Sequence, residues 1–226
     1  DGVNIDFEAF PASQKSNLVT FVKDLRKALR DKISHAKVTL ATPAVDWNSA
    51  WDFNALAKES DGLFIMGYDY HWKGSSTTGP VSPLKDGSYN ITKTVNTYLS
   101  ATGNNAEKII LGLPYYGYEW AANSGNKGAN TTASGTAVIY ANAENNAKSY
   151  GRIWDDASET PWYKYENNGW YQTWYDDSLS LAKKYDLALS KDLGGVGMWA
   201  LGYDEGSQKL WQSLKDKMAA KTAPST

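Results

Sequence analysis

The sequence predicts an α/β protein built on a parallel β-sheet, because short apolar runs alternate along the chain with longer segments of helical period. Five runs rich in β-branched or apolar residues are predicted strands, at 3–7, 37–41, 63–68, 109–113 and 196–200. Helical segments separate most of these runs, and repeated strand–helix units favour parallel pairing. An open doubly wound sheet and part of a (β/α)8 barrel both fit this alternation.

The clearest predicted helix covers 16–30, where apolar residues at spacings of three and four mark one stripe and charged residues fill the other face. Four more helices are predicted at 53–59, 92–100, 178–191 and 207–220. Asp177 and Ser207 stand at the starts of the last two, where they are predicted N-caps. The last six residues, 221–226, are predicted to be a frayed tail.

The segment 118–175 is too long for an ordinary connection between a strand and a helix, and it is rich in Asn, Gly and aromatic residues. It predicts a small α+β module inserted between two parts, 1–117 and 176–226, of the strand–helix domain. Within it 137–150 is a predicted helix, and Asn168-Gly169 is a predicted hairpin turn. Its four tryptophans either form the core of the module or line a ligand cleft: Trp154, Trp162, Trp170 and Trp174.

Composition excludes several classes of function. The 226 residues contain 23 Lys+Arg and 25 Asp+Glu without basic clusters, which argues against nucleic acid and anionic membranes as partners. The absence of cysteine excludes disulfides, thiol nucleophiles and Cys-ligated zinc, and the two histidines, His35 and His71, leave little for a metal site. We therefore predict no cofactor. Aromatic residues make up 13% of the chain, which favours a sugar, base or peptide ligand.

The first eight residues carry the candidate chemistry. Alternation along a strand puts Asn4, Asp6 and Glu8 on one face and apolar residues on the other. The Cα atoms of Asp6 and Glu8 would lie roughly 6.6 Å apart, close enough for charge repulsion to raise the pKa of one carboxyl group. Such a group is a general acid near neutral pH. The alternative is an edge strand whose carboxylates only face water.

Residues 1–8, Asp-Gly-Val-Asn-Ile-Asp-Phe-Glu, resemble the signature Asp-Gly-x-Asp-x-Asp-x-Glu of family 18 glycoside hydrolases. Three further motifs follow in the order of that family: Met66-Gly67-Tyr68-Asp69, Gly112-Leu113-Pro114-Tyr115-Tyr116-Gly117 and Gly194-Gly195-Val196-Gly197-Met198-Trp199. The four motifs extend over most of the chain. The resemblance implies a (β/α)8 TIM-barrel fold in which they end the fourth, sixth, seventh and eighth strands.

The resemblance accounts only for barrel strands four to eight with their helices, and for an insertion between strands seven and eight. A complete barrel needs about 250 residues, and five strands cannot close it at eight-strand geometry. The chain therefore resembles the C-terminal part of the catalytic barrel. We expect self-association, or complementation by the missing N-terminal strands, because a partial barrel exposes two sheet edges.

The resemblance also implies the catalytic residues. Glu8 would protonate the glycosidic oxygen and later activate water, and Asp6 would support the acetamido group of the substrate. In this family the acetamido oxygen attacks the anomeric carbon, which is the substrate-assisted exception to the two-carboxylate scheme. Tyr68 would orient the acetamido carbonyl. Asn4 and Asp69 would support these groups by hydrogen bonds.

Substrate-binding residues follow from the same motifs. Trp199 resembles the floor of the sugar site at the reaction centre, and Gly195 and Gly197 share its strand face, which would leave space for a pyranose ring. Met66 shares the strand face of Tyr68. Tyr116 matches the second aromatic residue of the seventh-strand motif and would reach the same cleft.

Two residues depart from the family pattern, and the second of them leaves the substrate open. Asn4 replaces an Asp of the signature, although its amide can still hydrogen-bond to Asp6. Tyr118 stands where many chitinases of the family carry Arg, and the form Tyr-Gly-Tyr-Glu-Trp resembles bacterial members that act on peptidoglycan. The resemblance implies hydrolysis of β-1,4-linked N-acetylglucosamine polymers such as chitin or chitooligosaccharides. The alternatives are a peptidoglycan N-acetylglucosaminidase and a non-catalytic, lectin-like chitin-binding protein; a secreted or cell-surface location is expected for each.

Overall fold

A computed structural model describes residues 1–219, which form ten strands and six α-helices. The strands are β1 (Gly2–Ile5), β2 (Lys37–Pro43), β3 (Gly62–Met66), β4 (Ile109–Pro114), β5 (Tyr116–Ala122), β6 (Thr136–Ile139), β7 (Ile153–Asp155), β8 (Thr160–Glu166), β9 (Trp170–Trp174) and β10 (Gly195–Trp199). The helices are α1 (Lys15–Lys32), α2 (Phe53–Glu59), α3 (Ile91–Ala101), α4 (Tyr140–Tyr150), α5 (Ser178–Ser190) and α6 (Gln208–Met218). The predicted frayed tail at 221–226 lies outside the described residues.

The chain divides into two compact units. The first unit comprises Asp1–Gly67, Lys93–Gly112 and Ser190–Gly197. The second unit comprises Tyr68–Thr92, Leu113–Leu189 and the chain from Met198 onward. The bounds of these compact units differ from the predicted domain bounds. The predicted division, with 1–117 and 176–226 forming one domain and 118–175 an inserted module, stays a prediction.

The first unit is built on a five-stranded sheet in the order β1-β2-β3-β4-β10. The pairs β1–β2, β2–β3 and β3–β4 are parallel, which confirms the predicted α/β class with a parallel sheet. All five predicted strands match observed ones to within about two residues, which is the usual uncertainty of such boundaries. The strand predicted at 3–7 ends earlier, at Ile5, because β1 lies at the edge of the sheet and pairs with β2 only from Gly2 to Ile5.

An ion-pair cluster around Asp61 fastens α1 within the first unit. The guanidinium groups of Arg26 and Arg30 lie 3.2 and 2.7 Å from Oδ1 of Asp61, and the backbone N–H of Val38 donates to Oδ2 at 2.9 Å. Burial by itself raises the pKa of this carboxyl group, but the Val38 N–H and the two arginines hold it below its usual value. Because the folded-state pKa is lowered, this stabilisation is present at neutral pH and is lost as the pH falls through that pKa.

One of the two predicted N-caps, Asp177, forms capping hydrogen bonds, and the other, Ser207, does not. Oδ1 of Asp177 accepts hydrogen bonds from the backbone N–H groups of Leu179 and Ser180, both at 3.0 Å, so Asp177 caps α5. Ser207 precedes α6, but its side chain makes no capping hydrogen bond. The predicted end of this helix at residue 220 lies beyond the described part of the chain.

The second unit contains an antiparallel sheet in the order β6-β5-β9-β8-β7. A hairpin joins β8 to β9 at the predicted turn, where Asn168 and Gly169 have φ values of 51° and 143°. The helix predicted at 137–150 begins only at Tyr140. The preceding residues form β6, because their β-branched side chains suit pairing with β5.

The tryptophans of this sheet divide between core and surface. Trp162 and Trp174 are cross-strand partners whose rings stack 5.1 Å apart, and both belong to a buried aromatic cluster with Trp120. Their position confirms the interpretation that they form the core. Trp154 and Trp170 are half-buried and lie against the cationic side chains of Arg152 and Lys164, respectively.

A buried ion pair follows β9. Asp176 and Lys184 are fully buried and hydrogen-bonded to each other, and the hydroxyl of Ser180 donates to Asp176 at 2.6 Å. Asp176 directly precedes α5, and Lys184 and Ser180 lie on it. The pair therefore fixes the first two turns of the helix to the end of the sheet.

We predict that Asp176→Asn destabilises the protein by about 3–5 kcal/mol, because it leaves the ammonium group of Lys184 buried without a counterion. Urea unfolding monitored by tryptophan fluorescence measures this loss. Asp31→Asn is the matched control, because it breaks the exposed pair between Lys27 and Asp31 and should change little. Equal effects of the two substitutions would contradict the prediction.

No helix among residues 1–219 combines the length and apolar character needed to cross a lipid bilayer.

Candidate active site

The two candidate acids follow the carboxyl end of β1. In parallel α/β sheets functional side chains collect at this end of the strands. Asp6 and Glu8 are both exposed, and the regular strand has ended before them, so strand alternation does not set their relative directions. Their surroundings match the alternative of carboxylates that face water. The predicted hydrogen bond from Asn4 to Asp6 is replaced by one from the Asn4 amide to the Thr39 hydroxyl on β2, at 2.8 Å.

Glycines on two neighbouring strands of the first unit make room for a phenylalanine. A Cβ atom on Gly112 or on Gly197 would overlap the ring of Phe64, which lies on β3. The space above Gly197 is therefore occupied by Phe64, and the expectation that this glycine leaves room for a sugar is wrong. Gly195 faces open space, as expected. Met66, the last residue of β3, is half-buried.

The second unit brings together three of the predicted site residues. The hydroxyl of Tyr116 donates a hydrogen bond of 2.5 Å to Oδ1 of Asp69. The ring of Tyr68 lies edge-on to that of Tyr116, with 5.9 Å between the ring centroids. The hydroxyl of Tyr118 lies near the same carboxylate and helps to stabilise its charged form. We call Asp69 with these two tyrosine hydroxyls the carboxylate clamp.

Local structure explains the clamp. Side chains alternate along β5, so Tyr116, Tyr118 and Trp120 lie on one face of the antiparallel sheet, with successive ring centroids 5.8 and 5.6 Å apart. Asp69 has a φ of 61°, a left-handed conformation that is strained for a non-glycine residue. The hydrogen bond from Tyr116 fixes the direction of the Asp69 side chain in this conformation.

The clamp also sets the protonation states of its members. Partial burial raises the pKa of Asp69, and the two tyrosine hydroxyls oppose this by stabilising the carboxylate. Burial and the neighbouring Asp69 raise the pKa of Tyr118 to about 12 and raise that of Tyr116 still further. Both hydroxyls therefore stay protonated, and remain donors, over the whole range in which proteins are active.

The remaining predicted aromatic residue is open to solvent. Trp199 is 53% exposed, and its carbonyl accepts a hydrogen bond of 2.7 Å from the backbone N–H of Tyr115. The peptide bond between Trp199 and Ala200 is cis. Tyr115 itself is buried and packs edge-on against Trp211, whereas Tyr116 contributes to the clamp.

Sequence reasoning missed Tyr118 as a member of the carboxylate clamp and Trp120 as its buried neighbour. Tyr118 stood out only as a departure from the family pattern, and Trp120 was not singled out. The signal was present, because aromatic residues at 116, 118 and 120 alternate with small or acidic ones and so predict a shared strand face. Within residues 1–219 no three His, Asp or Glu side chains are grouped so that they could hold a metal ion.

Acids after the carboxyl end of a parallel strand and aromatic side chains around a further carboxylate are together typical of α/β glycoside hydrolases. The sequence model of the glycosyl hydrolases family 18 matches residues 1–204, and the chain belongs to this family.

Two curated relatives illustrate the range of the family. The protein named "Probable endochitinase" from Caenorhabditis elegans is 28% identical over 235 residues, which cover 91% of this chain and 37% of that protein. The cortical fragment-lytic enzyme of Bacillus subtilis is 25% identical over 226 residues, which cover 95% of this chain and 49% of that enzyme. The chain thus spans half or less of the length of these two relatives.

A solved structure supports the same fold. The GH18 chitinase from Cycas revoluta in complex with (GlcNAc)3 superposes with a TM-score of 0.85 at 23% identity. The superposition covers 96% of this chain and 67% of that one. At this level of identity the likeness shows the fold alone.

We predict that Tyr118→Phe raises the pKa of Asp69, because the hydroxyl that it removes stabilises the carboxylate form. The ring that packs in the cluster is kept. Carboxyl-carbon NMR as a function of pH measures the shift. Tyr171→Phe, on the opposite face of the same sheet, is the control and should leave the pKa of Asp69 unchanged; a fall in that pKa in the Tyr118 variant would contradict the clamp.

Proposed function

We propose that this protein is a glycoside hydrolase that cleaves β-1,4-linked N-acetylglucosamine polymers, chitin or chitooligosaccharides, by substrate-assisted retaining catalysis. The observation that supports it most is the position of Glu8. It stands exposed just beyond the carboxyl end of β1, and in the sequence it matches the last residue of the family signature. The fold likeness to a chitinase that was solved with (GlcNAc)3 is consistent with this substrate class.

The reaction needs one acid–base group and the acetamido group of the substrate. Glu8 gives a proton to the glycosidic oxygen while the acetamido carbonyl oxygen attacks the anomeric carbon and expels the leaving sugar. Asp6 supports the acetamido nitrogen of the resulting oxazolinium ion. Glu8 then takes a proton from water, which opens the ring from the face that the leaving sugar occupied, so the configuration is retained.

Other residues position the substrate in this proposal. Tyr68 orients the acetamido carbonyl through its hydroxyl. Asp69 accepts a hydrogen bond from the sugar with the lone pairs that the carboxylate clamp leaves available. Trp199 offers its exposed ring as a stacking surface, and Met66 and Tyr116 supply apolar contacts.

We also propose that the five parallel strands correspond to barrel strands four to eight of the family, because the four motifs follow in that order. The outer edge of β1 pairs with no other strand among the described residues. An unpaired edge of this kind is a pairing site for another strand, so self-association or complementation by N-terminal barrel strands is part of the proposal. Action in a secreted or cell-surface setting is proposed from family membership.

Peptidoglycan is the second candidate substrate. It is favoured by Tyr118, which replaces the Arg of many chitinases, and by the relative named cortical fragment-lytic enzyme. The glycan strand of peptidoglycan contains N-acetylglucosamine, so the same catalytic residues would serve. Product analysis with each polymer separates the two substrates.

We predict that Glu8→Gln lowers the rate of cleavage of N-acetylglucosamine oligomers by about 100- to 10,000-fold, because the amide cannot donate a proton to the leaving oxygen. Mass spectrometry of the products measures the loss. Glu166→Gln changes an exposed glutamate near the hairpin turn and is the matched control. Cleavage at the unchanged rate by the Glu8 variant would remove Glu8 from the mechanism.

We predict that oligomers of glucosamine, which lack the acetyl group, are not cleaved under conditions in which the acetylated oligomers are, because the internal nucleophile is absent. Proton NMR of the fresh products of the acetylated oligomers should show the β-anomer first. Equal rates for both oligomers, or inversion at the anomeric carbon, would exclude substrate-assisted catalysis.

A further inference from the structure

A cavity of about 140 Å³ lies in the second unit, between the loop that follows Asp69 and the antiparallel sheet. We call it the loop cavity. The lining residues that matter for its chemistry are His71, Pro83, Asp86, Tyr89, Lys127 and Trp174. None of Tyr68, Asp69, Tyr116 and Trp199 lines it, so the cavity is separate from the residues that the proposed reaction uses in this unit.

Hydrogen bonds within the unit hold the walls of the loop cavity in place. The hydroxyl of Thr78 donates to Oε1 of Gln172 at 2.7 Å, and both side chains are buried. Oδ2 of Asp155 accepts from the backbone N–H of Ser158 at 3.0 Å, and the carbonyl of Ser158 accepts from the N–H of Leu84 at 3.0 Å. A ligand therefore meets a site that is already formed, and binding does not have to order these groups.

Several lining groups keep hydrogen-bonding capacity for a ligand. Nδ1 of His71 lies 3.1 Å from the carbonyl oxygen of Pro80, which can only accept, so this nitrogen carries the proton. Burial lowers the pKa of His71, which keeps the ring neutral and makes Nε2 an acceptor. Lys127 uses one N–H on Asp155 at 2.6 Å and has two more. The carboxylate of Asp86 stands exposed at the rim.

The rest of the lining is apolar. Pro80, Pro83 and the buried ring of Trp174 form part of the wall, and Tyr89 is 48% exposed beside them. An apolar cavity of about 150 Å³ accommodates one benzene molecule. The loop cavity thus has room for the acetamido group and one edge of a sugar ring, with apolar walls for their C–H groups and polar groups at the rim for the substituents that stay outside.

Charge selects among ring-shaped ligands. The two cations at the cavity are already paired, Lys127 with Asp155 and Lys85 with Glu159 at 3.2 Å. A further carboxylate or phosphate would therefore meet little net positive charge and would face Asp86. A neutral ligand fits these lining groups better than an anion does. It needs hydrogen-bond donors for Asp86 and His71 and an acceptor for Lys127.

We propose that the loop cavity is a second saccharide site that binds one neutral N-acetylamino sugar unit. The acetamido group supplies a carbonyl for Lys127, an N–H donor and a methyl group for the apolar wall, and the ring hydroxyls supply the other donors. The site holds a polymer chain through a sugar unit that is not being cleaved. The choice of sugar rests on the proposed function, whereas the cavity and its polar groups do not.

The test uses the full chain with Glu8→Gln, which removes the proposed acid, so that binding is measured apart from cleavage. N-acetylglucosamine is titrated while amide NMR follows Gly79, Gly87 and Gly128, which line the loop cavity. The three signals should shift together and saturate. Tyr89→Ala, made in this background, should weaken binding about tenfold through loss of the aromatic contact. Tyr171→Ala, a tyrosine of the same unit outside the cavity, should leave it unchanged.

A second, conservative variant tests the same site without the risk that a larger substitution disturbs the fold. Asp86 has a φ of 68°, a conformation that Asn tolerates well, so Asp86→Asn keeps the turn and removes only the charge. It should also weaken binding of N-acetylglucosamine. No saturable shift of the three glycine signals, or equal binding by both variants and their parent, would overturn the proposal. Tighter binding of N-acetylmuramic acid than of N-acetylglucosamine would overturn the preference for a neutral sugar.

The same variants separate this proposal from the proposed function. With Glu8 intact, Tyr89→Ala should cleave short N-acetylglucosamine oligomers at the parent rate, because Tyr89 is outside the reaction residues. It should lose affinity for the insoluble polymer. Binding in the cavity without any cleavage would leave the saccharide site in place and refute only the hydrolase.

Discussion

The alternation of side chains along β5 is the constraint on which the second unit depends. It puts Tyr116, Tyr118 and Trp120 on one face of the antiparallel sheet, where their rings join a buried aromatic cluster. The first two carry their hydroxyls to Asp69. A shift of β5 by one residue would turn all three rings to the other face and leave Asp69 strained without its hydrogen bond from Tyr116. The core of the unit and the orientation of a proposed substrate-binding group therefore have the same origin.

Several buried polar groups in the second unit share local hydrogen-bond networks. Gln172 accepts from Thr78 and donates to the carbonyls of Ser124 and Asn126, and Asp155 accepts from Lys127 and Ser158. Such networks are costly to break, because each lost partner leaves a polar atom without water. They make the walls of the loop cavity rigid. In the proposed saccharide site, such rigidity favours ligands that match the fixed positions of the polar groups.

Two expectations failed where another strand of the sheet decided the outcome. Gly197 looks, in sequence, like a gap left for a ligand, but the ring of Phe64 fills that space. Asp6 and Glu8 extend an alternating pattern, but β1 pairs with β2 only as far as Ile5, so the pattern outlasts the strand. In both cases the sequence specifies a local preference, and a side chain or a pairing limit set by another strand overrides it.

The sequence by itself determined the class of fold, the order along the chain of the five strands of the first sheet, and the family, because apolar periodicity and the four motifs are local properties of the chain. It also placed Asp177 as the cap of α5 and Asn168-Gly169 as a turn, since both depend on neighbouring backbone. Only the tertiary structure decided that Tyr118 serves Asp69 and that a loop and a sheet enclose a cavity. Those contacts join residues far apart in the chain, and no periodicity records which side chains meet when two segments pack together.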